Sequence, residues 1–85
     1  MAWFVYIVKA TDDSYYTGIT TDLKKRIEKH NSRQGSKSLF GKIPVQLIYK
    51  ESAKNRSEAS KREAEIKSWD KEKKIQLIKD PVAQR

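Results

Sequence analysis

The sequence predicts an α+β fold: a three-stranded antiparallel sheet flanked by helices, in the order β-β-α-β-α-α. Three observations lead there. Aromatic and β-branched runs at 3–9, 15–19 and 44–51 read as strands. Capped segments with helical spacing follow the second and the third run. The chain has 85 residues and no cysteine, so one small domain must hold itself together by packing, without disulfides or thiolate-bound metal.

The first run, WFVYIVK, is apolar on both alternating faces, which predicts a strand covered on both sides. ATDDS then supplies turn chemistry, because Asp12 and Asp13 can bond their own backbone. YYTGI at 15–19 returns as the second strand of a hairpin. An odd number of turn residues puts Tyr6 and Tyr16 on one face, and an even number separates them. Gly18 permits close approach of backbone or substrate. Thr20 or Thr21 can cap the first helix, DLKKRIEKHN, with Asp22 in its first turn. Residues 32–42 form a Gly/Ser/Lys loop long enough to carry a function. Pro44 opens the third strand, where a missing N–H does least harm. Asn55 with Glu58 marks the start of the second helix, and Asp70 starts the third. Asp80-Pro81 stops it. The expected organisation is one domain over 1–80 and a flexible tail over 81–85.

Charge narrows the partner. The chain carries 19 Lys and Arg against 11 Asp and Glu, a formal net charge of +8. Between Lys24 and Lys42 the only acid is Glu28. This favours a polyanionic partner, although charge alone does not separate DNA from RNA or from an anionic membrane. The N-terminal apolar run is far below the ~18 residues that a spanning helix needs. The expected protein is soluble and cytoplasmic.

Two helices then break their own apolar stripes. In the first, Leu23 and Ile27 share a face with Arg26 and His30. In the second, Ala59 and Ile66 share one with Arg62 and Glu63. For any single residue, a stem packed at the stripe edge with its head in water is explanation enough. Arg, His and Glu turned inward together, in a chain with little core to spare, point to a shared polar site.

These pieces in this order resemble the GIY-YIG nuclease superfamily. FVY and YTG hold tyrosines about ten residues apart, Arg and His stand four apart on the following helix, and REAEIKSW lies on a later helix. The likeness is strongest to small single-domain members and extends to the nuclease module of the excision-repair nuclease subunit, hence to DNA repair. It spans residues 3 to about 78. Carried over, the motif tyrosines fall on Tyr6 and Tyr16 and the motif glycine on Gly18. The helical Arg and His fall on Arg26 and His30, and the metal-binding Glu on Glu63. Phe4 and Thr17 depart from the family pattern at filler positions. An Asn that some members use beyond the Glu has no counterpart after Asn55.

The resemblance implies phosphodiester cleavage with one Mg²⁺ or Mn²⁺ ion. Glu63 would hold the ion, since Mg²⁺ is commonly bound by one carboxylate plus phosphate oxygens and water. Arg26 would stabilise phosphate charge with its planar fork. Tyr6 would be the general base. Free tyrosine titrates near ~10, so that role needs cationic neighbours. His30 would relay a proton, and Tyr16 would orient water or phosphate. Gly18, Lys24, Lys25, Lys29, Arg33, Lys37 and Lys42 would meet the nucleic-acid backbone, which gives affinity without sequence. The expected substrate is DNA more than RNA, recognised by structure rather than sequence. The expected state is a monomer, with dimerisation on DNA as a route to cutting both strands. The competing readings are a binding module of the same fold with little or no cleavage, and a structural domain whose charge serves solubility. Salt-dependent binding without metal-dependent turnover would identify the former, and no nucleic-acid affinity the latter.

Overall fold

The computed structural model describes residues 2–32 and 44–79. The chain order is β1 (Trp3–Lys9), β2 (Tyr15–Thr20), α1 (Leu23–Asn31), β3 (Gln46–Ala53), α2 (Arg56–Lys67) and α3 (Lys71–Lys79). The sheet is antiparallel with β1 in the centre, in the order β2-β1-β3. Apart from Ser32, the expected basic loop lies outside the described residues. So do the Asp80-Pro81 stop and the tail.

β1 is apolar on both faces because both are covered. Val5, Ile7, Tyr49, Ala59 and Ile66 form one buried cluster, under α2 and α3. Tyr6, Val8, Ala10 and Val45 form the other, against which Leu23 and Ile27 of α1 pack. A bulge in the β1–β3 ladder links the two. Ile7 pairs with Tyr49, but Val8 pairs with Leu47, leaving Ile48 as the extra residue. That one-residue shift moves Leu47 to the α1 side, where it packs on the second cluster.

Two local details differ from the sequence expectation. The α1 cap is Asp22, whose carboxylate accepts from the Lys25 N–H at 3.1 Å. Thr20 ends β2, and its hydroxyl accepts from the Asp22 N–H. β3 begins at Gln46 rather than Pro44, because Val45 is bound elsewhere: its N–H donates to Asn31 Oδ1 at 2.7 Å. Arg62 pairs with Glu51 at 2.9 Å and with Glu65, and its guanidinium lies 5.2 Å from the centre of the Trp69 ring. The α2 start is as expected, with Asn55 accepting from the Glu58 N–H. No helix among the described residues is long and apolar enough to cross a membrane.

Candidate active site

The hairpin turn sets the site. Thr11–Asp13 form a three-residue turn, closed by Ala10 N–H donating to Ser14 C=O at 2.9 Å. Asp13 adopts φ 67°, a left-handed conformation that Asp tolerates better than most residues. Three is odd, so Tyr16 stands opposite Val8 and Gly18 opposite Tyr6. Cross-strand partners share a face, which gathers Tyr6, Tyr16 and Gly18 on the α1 side of the sheet.

α1 completes that face. The spacing that packs Leu23 and Ile27 also turns Arg26 and His30 inward. Arg26 Nε donates to the Tyr6 hydroxyl oxygen at 3.1 Å. The same hydroxyl lies 3.2 Å from His30 Nε2. His30 is only 4% exposed, so it is a core residue and not a stripe-edge one. Burial, and then the charge of Arg26, lower its pKa below the ordinary histidine value. The imidazole is therefore neutral at physiological pH. Its Nδ1 is buried without a hydrogen-bond partner among the described residues. Asn31 ties the end of this helix to the sheet by accepting from the Val45 N–H and donating to the Val45 C=O.

Gly18 makes room for this arrangement. A Cβ there would lie 2.5 Å from the Tyr6 hydroxyl oxygen and 2.7 Å from the ring carbon bearing it. The close approach foreseen at Gly18 is thus made by a side chain, the Tyr6 ring.

Tyr6, Tyr16, Gly18, Arg26, His30 and Glu63 all line one cleft of about 400 Å³. Glu63 reaches it from α2, with its side chain 24% exposed and 3.5 Å from Lys67 Nζ. Lys67 and Lys74 line the cleft as well. Among the described residues its walls carry three cations, Arg26, Lys67 and Lys74, against the single carboxylate of Glu63, a formal charge of +2 with His30 neutral. The buried Thr17 hydroxyl, also in the wall, has no hydrogen-bond partner among the described residues.

The other expected contacts lie elsewhere. Lys24, Lys25 and Lys29 are on the exposed side of α1, and Lys25 and Lys29 flank a separate shallow groove. Arg33, Lys37 and Lys42 fall outside the described residues. Sequence reasoning missed Lys67 and Lys74. Lys67 stands four residues after Glu63, a spacing that would have placed the two side by side. Lys74 carries no such signal.

The sheet thus brings two tyrosines, Arg and His from one helix and Glu from another around one cleft, and the family match that follows implies a nuclease-type fold. The family model described as the GIY-YIG catalytic domain matches residues 2–76. The chain belongs to the GIY-YIG family. Among its relatives are UPF0213 proteins of Staphylococcus aureus strains Mu3 and Mu50. Each is 51% identical over 77 residues, covering 91% of this chain and 94% of the relative. The solution NMR structure of a UPF0213 protein from Bacillus halodurans is 37% identical with a TM-score of 0.60. The match covers 99% of this chain and 93% of that one.

Proposed function

We propose that this protein is a divalent-metal-dependent endonuclease that hydrolyses phosphodiester bonds in nucleic acid, DNA in preference to RNA. The observation that carries the reading is the Tyr6 hydroxyl. It is held by Arg26 at 3.1 Å and His30 at 3.2 Å in the wall of a cleft whose one carboxylate among the described residues is Glu63. The family supplies the reaction class, since GIY-YIG domains are typically endonucleases that use divalent metals.

The residues have divisible tasks. Arg26 donates to the Tyr6 oxygen, so the hydroxyl's own proton is free to point at His30 Nε2. A neutral His30 can receive it. The Tyr6 phenolate so formed would face Arg26 and then take a proton from an attacking water. The Nη groups of Arg26 have no partner among the described residues, which leaves them for a phosphate oxygen. Tyr16, on the same face, orients the water or the phosphate.

The cleft's donor set suits a hard cation. Glu63 gives one carboxylate, and the unpartnered Thr17 hydroxyl and the tyrosines give neutral oxygens. The described residues hold no cluster of three or more His, Cys, Asp or Glu side chains placed to hold a metal ion. One ion resting on Glu63, with water and phosphate oxygens as its other ligands, fits that set. When bound, such an ion supplies Lewis-acid polarisation of the phosphate and a more acidic water. A domain of this size has little surface for reading a long sequence, so substrate structure is the expected determinant.

The test offers purified protein supercoiled, single-stranded, branched and RNA substrates, with and without Mg²⁺ or Mn²⁺. Metal-dependent nicking that favours one DNA structure supports the reading. Binding to all of them without cutting under any metal condition would replace it with the binding-module reading.

A further inference from the structure

We infer that Lys67 and Lys74 form a second phosphate-binding wall, which grips the nucleic-acid backbone across the cleft from Arg26. This rests on the reading of the cleft as a nuclease site. It adds a side of the substrate path beyond the one α1 supplies.

α3 carries three lysines in its first turns. Lys71 donates to the Asp13 C=O at 2.7 Å and sits 4.9 Å from the Tyr15 ring centre. Lys73 sits 4.5 Å from the Trp69 ring centre. Both are bound into the fold. Lys74 is half-buried, lines the cleft, and has no carboxylate partner among the described residues. Partial burial of an unpaired ammonium is costly, and an anion in the cleft offsets that cost.

Lys67 is one helical turn beyond Glu63. Its 3.5 Å contact joins two side chains that are 57% and 24% exposed, a loose pairing of the kind that contributes little. A phosphate can therefore draw the ammonium away at small cost. The two lysines come from α2 and α3, whereas Arg26 comes from α1. The cleft thus has cations on more than one wall, as a path for an extended polyanion requires.

Binding is measured in EDTA, so that no cleavage intervenes, with labelled single-stranded and duplex DNA over a range of salt. Each lost phosphate contact lowers the slope of log affinity against log salt by about 0.7 to 0.9. Lys67→Gln/Lys74→Gln should therefore lower the slope by about 1.4 to 1.8, and Lys67→Arg/Lys74→Arg should restore it. Lys54→Gln/Lys61→Gln removes the same charge from residues outside the cleft and should leave the slope unchanged. An unchanged slope in the cleft variant, or equal losses in both Gln pairs, overturns the inference while leaving the nuclease reading intact. A wild type that shows no salt-dependent binding overturns both.

Discussion

Gly18 stands directly opposite Tyr6 in the β1–β2 ladder, and the Tyr6 ring fills the space that a side chain at position 18 would need. The Tyr6 ring cannot readily yield. It is 3% exposed, and its hydroxyl is held by Arg26 and His30. Gly18→Ala should therefore displace the Tyr6 hydroxyl. Overpacking of this kind costs about 1–3 kcal/mol of stability. Cleavage should fall by roughly 100-fold, the lower end for loss of a positioned acid–base group. Urea unfolding and a nicking assay check the two numbers. Wild-type activity in Gly18→Ala would separate the glycine from the Tyr6 position.

His30 makes stability depend on pH with a definite sign. Burial and Arg26 hold its pKa below the ordinary histidine value of about 6.5. The fold therefore resists a proton that the unfolded chain accepts. This contribution is complete above about pH 6.5 and is lost as pH falls from there through the lowered folded value. Unfolding free energies measured across that window should decline, and His30→Gln should flatten the decline. The role proposed for His30 needs this imidazole neutral, so the cleavage rate should hold below about pH 6.5 and fall only as pH nears the lowered folded value. A decline of equal slope in His30→Gln would assign the effect to other groups.

Tyr49 gives the opposite sign at alkaline pH. Its hydroxyl donates to Glu51 at 2.7 Å, and Glu51 also accepts from Arg62. Burial first, then the bond to Glu51 and its charge, push the Tyr49 pKa well above the ordinary tyrosine value. Stability from this group is complete below about pH 10 and is lost as pH rises through the folded value. In an ultraviolet titration Tyr49 should ionise only as the protein unfolds, and Tyr49→Phe should remove that late step. That variant should also lose about 1 kcal/mol, the typical net worth of one hydrogen bond. Full ionisation of all the tyrosines in the folded protein would contradict the Glu51 contact.

The sequence disclosed the elements well because local chemistry decides them. β1 is framed by its aromatic and β-branched residues, α2 by the Asn55 cap, and α3 by Asp70, whose carboxylate accepts from the Lys73 N–H. Arg26 and His30 stood out because ionisable residues on an apolar stripe break its pattern. What needed three dimensions was less visible. The α1 cap moved to Asp22 because Thr20 was consumed by the strand and by its bond to Asp22. The turn length that joins Tyr6 and Tyr16 depended on Asp13 reaching a positive φ. Lys74 resembles any surface lysine until α3 brings it to the cleft.

The most direct test of the central claim compares Mg²⁺-dependent nicking of supercoiled DNA by wild type, Tyr6→Phe and Glu63→Ala, purified in parallel. Circular dichroism first confirms that all three are folded. The cleft chemistry predicts that wild type nicks only with the metal and that each variant is slower by about 100-fold or more. Equal nicking by wild type and Glu63→Ala would show that another agent cuts the DNA, and would contradict the assignment of this cleft as a nuclease site.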